Sequence, residues 1–399
     1  MIVRDEATRL PACLDSAAAA VDEMVVVDTG STDATVAVAR HRGARVAEWP
    51  WRDDFAAARN QALSLARGSW ILVLDADERL APGHAEQVRA LALGGRADGY
   101  NCRLVSALPP DQPSAIMTHW YCRLFRKREG VAFQGRIHEQ VAASIVAAGG
   151  RIADSDVTIL HEGYAQASPA KLERNLALLR LAVAEDPDDS FARFNLGLTL
   201  TSAGAFFEAG EAFERALAPT ARPLPRRLQA VAWMKLAEAR SRAGEWKAAA
   251  EAAEQALAAE PDLALARYTL GRALFEQGAF HAAELIFEEL SAARPDALGM
   301  TLHARLVAVA RALVRLRQRR GAEAAELLEP VAHDDPTGEA LRHLGNTYLT
   351  LGRLGEAASA YRGARDRGVK DPDLDRRLTL CLRLGAGAPA AAAAPAGRP

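Results

Sequence analysis

The sequence predicts an α/β domain with a mixed, mostly parallel sheet over residues 1–165, followed by an all-α repeat solenoid over residues 170–384. Three observations predict this. Before about residue 160, apolar residues fall in short β-branched runs such as Met24–Val27, Trp70–Leu74 and Tyr100–Val105. After about residue 168 the chain is rich in Ala, Leu, Glu and Arg at helical spacing, with almost no strand signal. Within that second part a 34-residue period relates Leu236-Ala237 to Leu270-Gly271, Gly244 to Gly278 and Pro261 to Pro295.

In the first part, strand-like runs at 1–3 (MIV), 24–28 (MVVVD), 44–48 (ARVAE) and 70–74 (WILVL) alternate with amphipathic helical stretches at 8–20, 32–42 and 53–67. Such alternation implies βαβ units, a parallel sheet and a ligand site at the carboxyl ends of the strands. Two of those ends carry acids: Asp28 after the second strand, and Asp75-Ala76-Asp77-Glu78 after the fourth. The first strand begins at Met1 and is about three residues long, so an upstream extension of the chain would lengthen it. The boundary falls near Gly163–Pro169, where Ser168 can N-cap a helix opened by Pro169.

The repeats start with a unit from Phe191 to Leu217 and become looser toward Gly321, Leu344-Gly345, Gly352 and Pro372. Leu-Gly in one helix, Gly in the turn, Ala and an aromatic in the next helix and Pro at the exit form the tetratricopeptide signature. Small residues permit close helix packing, Gly makes the turn and Pro ends the second helix. About five units are expected, the fourth irregular, with a low-complexity, disordered tail over 385–399.

The 49 Lys+Arg and 51 Asp+Glu of the 399 residues leave a net charge of -2, which argues against a generalised nucleic-acid or anionic-membrane surface. Cys13, Cys102, Cys122 and Cys381 include no CxxC pair, which excludes a disulfide scaffold and a standard zinc knuckle. Reduced thiols in an intracellular protein are expected. No apolar run approaches the ~18 residues of a membrane span, and Arg4, Asp5 and Glu6 stand where a signal core would lie. A cytoplasmic protein without a transmembrane segment or a nucleic-acid partner is the expectation.

The LDADE run, Leu74–Glu78, places two carboxylates one small residue apart directly after an apolar strand. Such a pair can face a divalent cation while leaving positions open for phosphate oxygens. The competing reading is an ordinary acidic loop opening a helix at Pro82. Around it, MIVRDEATRLPACLDSA, VDEMVVVDTGSTDATVAVA, WRDDFAAARNQAL and GSWILVLDADERL follow in order at βα spacing. Over about residues 1–165 the chain thereby resembles the family 2 glycosyltransferases of the Rossmann-like GT-A fold. FQGRIHEQV (133–141) and VTILHEGY (157–164) resemble segments of a subset of these enzymes.

The resemblance implies that the first strand loop, Val3, Arg4 and Glu6, and Asp28 hold the nucleobase; an acceptor-only carboxylate also suits an imide N–H. It implies Arg59 near the nucleotide, Asp75 with Ala76 on the ribose, Asp77 on Mg²⁺ or Mn²⁺, and His161 as a further metal ligand. Glu139 is the candidate base that takes the acceptor proton during inversion. Structural readings stand beside these. Thr32 and Asp33 can be helix caps, Asn60 a packing or capping residue, His161 a satisfied strand-end residue, and Glu139 a salt-bridge partner. The basic stretch Arg123–Gly130 can neutralise a leaving diphosphate or form a solvated hairpin, and Trp49 and Trp51 can cover the base or pack. Cys13, Cys102 and Cys122 sit in patterns that look buried.

The resemblance therefore implies an inverting, metal-dependent glycosyltransferase of the hexosyl type that uses a nucleotide-sugar, first a UDP-sugar. A concave repeat surface suits extended peptides or partner proteins, and the combination resembles bacterial transferases that glycosylate a peptide thiol or hydroxyl. The acceptor would then be a peptide or protein side chain. The alternatives are an envelope saccharide or lipopolysaccharide core transferase, and a non-catalytic tetratricopeptide adaptor with a degenerate transferase domain. A homo-oligomer is left open, and removal of 170–399 is expected to leave the donor chemistry intact.

Overall fold

The computed structural model describes residues 1–107, 116–162, 169–219, 222–290, 295–298 and 300–386. In the N-terminal part β1 (Ile2–Val3), α1 (Leu10–Ala17), β2 (Val25–Asp28), α2 (Thr35–His41), β3 (Arg45–Glu48) and α3 (Phe55–Leu65) follow one another, and the three strands pair in parallel in the order β1-β2-β3. These are the expected βαβ units, each running a few residues short of its apolar pattern. Leu10 and Cys13 of α1 and Val26 and Val27 of β2 are fully buried, which is the strand-on-helix packing that the apolar alternation requires.

Then come β4 (Trp70–Leu72), β5 (Glu78–Leu80), α4 (Ala85–Gly94), β6 (Gly99–Ala107), β7 (Ile116–Arg126), α5 (Ala142–Ala147) and β8 (Ile152–His161). They form a mixed sheet of order β4-β7-β6-β8-β5. The fourth expected strand, β4, pairs antiparallel with β7, Trp70 opposite Arg126. β5 pairs antiparallel with β8, which sets Glu78 opposite His161. The LDADE run therefore bridges two strands of one sheet, and helix α4 opens at Ala85 rather than at Pro82. Asp75 to Asp77 are carried out of the sheet as a tight corner.

The helical part begins with α6 (Pro169–Glu185), opening at Pro169 as expected; residues 163–168, with Ser168, lie outside the described residues. Then follow α7 (Ser190–Ser202), α8 (Phe206–Leu217), α9 (Arg226–Arg242), α10 (Trp246–Ala259), α11 (Ala264–Glu276), α12 (Phe280–Glu288), α13 (Ala304–Arg317), α14 (Gly321–Ala332), α15 (Glu339–Thr350), α16 (Leu354–Asp366) and α17 (Leu374–Ala386). The α/β elements and α6 to α10 form one compact unit; α12 to α17 belong to a second, with the division at Ala266 within α11.

Within the hairpins the period has a packing cause. A Cβ at Gly197, Gly271 or Gly345 would stand 2.6–2.7 Å from the ring of Phe213, Phe287 or Tyr361, so Gly lets each aromatic of the second helix lie against the backbone of the first. The turns between helices use left-handed residues: Gly204, Gly244, Gly278 and Gly352 have φ between 74° and 82°. The irregular fourth unit differs from expectation here. Gly321 opens α14, and the left-handed turn residue is Arg319, at φ 63°. α17 runs through Gly385, and the rest of the expected disordered tail, 387–399, lies outside the described residues.

Candidate active site

The loops after β1 and β2 hold each other. Asp5, at φ 54°, uses Oδ1 to accept the Thr32 amide at 2.7 Å and the Thr32 hydroxyl at 3.1 Å. Asp33 Oδ2 accepts the Ala7 amide at 3.2 Å, and the Glu6 amide donates to Thr35 Oγ1 at 2.7 Å. Thr32 and Asp33 thus staple two loops. Asp28, expected to face a nucleobase, turns its carboxylate to its own loop instead, accepting the Gly30 and Ser31 amides at 3.1 Å each, and it is only 5% exposed. A buried carboxylate needs such donors, and a short loop supplies them.

Beneath the corner after β4 lies an ionic cluster. Arg59 of α3 is buried and donates to Asp75 Oδ1 at 2.6 Å and to Glu139 Oε1. Arg123 of β7 reaches Glu78 at 2.5 Å and Asp75 at 3.5 Å. Glu78, 1% exposed, also accepts the Asp75 amide at 2.9 Å, which fixes the corner. Burial alone would raise the Asp75 pKa, but Arg59 and Arg123 outweigh it and hold this carboxyl well below the usual range. Glu78, more fully buried, is pushed above its ordinary value by desolvation. Asp75 is thereby a fixed, fully ionised acceptor.

Asp77 faces the other way. Its Oδ2 lies 3.5 Å from His161 Nε2, and His161 Nδ1 lies 3.0 Å from Ser106 Oγ. Ser106, fully buried on β6 beside the end of β8, orients the ring so that Nε2 is presented with the carboxylate. Burial acts first to raise the Asp77 pKa, and the hydrogen bond and charge of His161 bring the net shift below the ordinary value. One carboxylate and one imidazole at this separation fit an oxygen- and nitrogen-ligated divalent cation. Among the described residues no group of three or more His, Cys, Asp or Glu is arranged to hold a metal ion, so substrate oxygens or water would complete the shell.

A cleft of about 690 Å³ gathers these groups: Val3, Arg4, Glu6, Arg59, Asp75, Ala76, Asp77, Glu139 and His161 all line it, while Asp28 lies outside its lining. Glu139 arrives on a pinched loop, closed by reciprocal backbone bonds between Gln134 and Gln140 at 2.9 Å. The Glu139 side chain is 8% exposed, in the salt bridge with Arg59 that the sequence left as an alternative. Trp51 lines the cleft and packs edge-on against Phe55 at 4.6 Å, whereas Trp49 stacks under Arg52. Asn60 ties α3 to the Phe133 backbone at 2.8 and 3.0 Å.

The basic stretch divides by function: Arg123 serves the ionic cluster, Arg126 lies over Trp70 at 4.8 Å and Arg128 pairs with Asp98 at 2.8 Å. Sequence reasoning named Arg123 only as part of a basic stretch and Glu78 only as part of the acidic run, and it missed Ser106; only strand alternation, which turns Arg123 inward, could have singled them out. It also missed Lys171, Arg174 and Asn175 of α6, which line the cleft from the helical part. All four Cys are free and buried, and burial pushes the thiols of Cys13 and Cys122 up to about 12.

Both parts of the chain resemble known proteins. Residues 1–145 match the description "Glycosyl transferase family 2", and residues 241–306 and 309–372 match tetratricopeptide repeats. The chain is 37% identical over 213 residues to a TPR repeat-containing protein of Synechococcus elongatus, covering 51% of this chain and 52% of that one. It is 36% identical over 100 residues to an uncharacterized glycosyltransferase of Rickettsia felis, covering 25% of this chain and 35% of that one. It is 28% identical over 142 residues to the glycosyltransferase SunS of Bacillus subtilis, covering 35% of this chain and 33% of that one. The chain thus spans about half or less of the length of these relatives.

Proposed function

We propose that this chain, which carries a family 2 glycosyltransferase domain ahead of tetratricopeptide repeats, transfers a hexosyl group from a nucleotide-sugar to a peptide or protein side chain with inversion. A UDP-sugar is the first donor to test. The observation that carries the reading is the convergence in one cleft of an Arg-neutralised Asp75, the Asp77–His161 pair and Glu139. Asp75, held ionised, would accept ribose hydroxyls. Val3, Arg4 and Glu6 would frame the base, with Asp28 acting through the loop it folds.

Asp77 and His161 would hold the divalent cation, and the imidazole favours Mn²⁺ over the harder Mg²⁺. When bound, such an ion offsets charge on a departing diphosphate. Glu139 would take the acceptor proton through Oε2, with Arg59 on Oε1 fixing the carboxylate in place. The repeats would carry the polypeptide acceptor, as helical arrays bind extended segments. Among the described residues no helix is long and apolar enough to cross a membrane, and the buried, unpaired thiols suit a reducing compartment; the proposed location is the cytoplasm.

The test is metal-dependent hydrolysis of UDP-sugars by the full chain, with Mn²⁺ added. Asp77→Ala should abolish turnover and its metal dependence. Glu139→Gln should keep donor binding while transfer falls by about 10²-fold or more. Retained transfer would send the base role elsewhere, and a chain that binds no nucleotide-sugar would end the enzyme reading.

A further inference from the structure

We infer that α6 and α7 read the backbone of the acceptor: Asn195 of α7 accepts a hydrogen bond from a peptide N–H of an extended polypeptide, and Asn175 of α6 donates one to a peptide carbonyl. The inference rests on the function proposed above and deepens it.

The face of α7 that lines the cleft carries Phe191 and Asn195, one turn apart. Asn195 is only 5% exposed, and its Nδ2 donates to the Phe191 carbonyl at 2.8 Å. Its Oδ1 has no hydrogen-bond partner among the described residues. A buried amide oxygen is normally satisfied, so one left open in the wall of a cleft marks the place of a ligand donor. Asn175 is the converse case. It lines the same cleft, and its Oδ1 accepts the Arg174 guanidinium at 3.4 and 3.2 Å, which leaves Nδ2 as the group it can offer. One carbonyl and one N–H are the complement of a peptide backbone, and main-chain bonds of this kind hold an extended segment without regard to its side chains.

The position favours the acceptor over the donor sugar. Arg136, on the pinched loop that bears Glu139, donates to both carboxylate oxygens of Glu185 at 2.8 Å. Glu185 closes α6, and Phe191 lies in the first turn of α7. The loop bearing the proposed base is thereby held beside the end of α7 that carries Phe191 and Asn195. An acceptor that gives its proton to Glu139 has this wall at its flank. Phe55, whose amide donates to the Arg136 carbonyl at 2.8 Å, and Trp51 packed on it add apolar surface to the same cleft. Such rings suit the side chains next to the modified residue.

The experiment measures binding to the full chain by fluorescence anisotropy, with a labelled pool of short synthetic peptides bearing a central Ser, Thr or Cys. The same pool is made with single N-methyl groups along the backbone, each of which deletes one N–H. One N-methyl position should weaken binding to the wild type about three- to tenfold and add nothing in Asn195→Leu, which starts lower by that factor. Asn195→Asp, which keeps an oxygen acceptor, should respond to N-methylation as the wild type does. Asn175→Ala should weaken every peptide about three- to tenfold. Thermal unfolding confirms that each variant folds. Equal N-methyl penalties in the wild type and Asn195→Leu overturn the inference. So does a wild type that binds UDP-sugars but none of the peptides, and so does a loss in Asn195→Leu confined to UDP-sugar affinity, which would give the amide to the donor sugar. A wild type that holds the peptides with this N-methyl response yet binds no nucleotide-sugar leaves the peptide site standing and ends the transferase reading.

Discussion

Arg59 is tolerated in the interior because two carboxylates meet it, and each carboxylate depends on it in turn. Substituting Arg59→Met should therefore cost about 3 kcal/mol at pH 7, read from urea unfolding, since it strands the buried Glu139 charge. The pH dependence follows from the signs. In the wild type, Asp75 titrates below its ordinary value, so its contribution is complete above about pH 4 and is lost as the pH falls through the folded-state value. In the variant Asp75 keeps Arg123 at 3.5 Å but loses Arg59, so the depression of its pKa shrinks and the stability that goes with it is reduced. The gap between variant and wild type should narrow as the pH falls below about 4; a constant gap would show that Arg59 does not hold Asp75 ionised. The same pair explains what the motif reading missed. Two acids spaced like Asp75 and Asp77 announce a cation site, yet nothing local reveals that Arg59 and Arg123 neutralise the first acid and leave the second with His161.

At the scale of elements, the repeat hairpins were legible because their packing is local and recurs: Gly197, Gly271 and Gly345 on one helix each meet a ring on the next. Gly345→Ala should cost about 2 kcal/mol, because its Cβ would stand 2.7 Å from the Tyr361 ring in a filled core. A loss below about 0.5 kcal/mol would mean the ring moves aside freely. The fourth hairpin was misread at its turn for an equally local reason. Gly321 draws attention as a glycine, but the left-handed position two residues earlier holds Arg319. Arg319→Gly should raise stability by about 0.5–1 kcal/mol, the strain of a left-handed non-glycine less the entropy that Gly adds to the unfolded chain. The sheet was less legible. The pairing of β4 with β7 joins Trp70 to Arg126 across the chain, and no pattern within either strand encodes its partner.

At the scale of the whole molecule, the change in texture near residue 165 suggests two separable parts, and a chain lacking 170–399 was expected to keep its donor chemistry. The cleft argues otherwise. Lys171, Arg174 and Asn175 of α6, with Phe191 and Asn195 of α7, line it alongside the acids. Arg136 and Glu185 clamp α6 onto the loop that bears Glu139. Composition separates these segments because each keeps its own periodicity, while the contacts that join them are single side chains with no periodic signal. The compact unit that holds the acids includes the helices to Ala266 and the segment Pro295–Met300. A chain ending at residue 168 should therefore lose UDP binding by about 10²-fold or more, the loss expected from removing the wall of the cleft that α6 and α7 carry. A chain ending at residue 300 keeps both and should bind UDP within about threefold of the full chain, since no residue lining the cleft lies beyond Asn195. Calorimetric titration of both truncations, each first shown to be folded by circular dichroism, checks the pair of outcomes. Full affinity in the chain ending at 168 would return the donor site to the α/β part alone, and lost affinity in the chain ending at 300 would extend it into the later repeats.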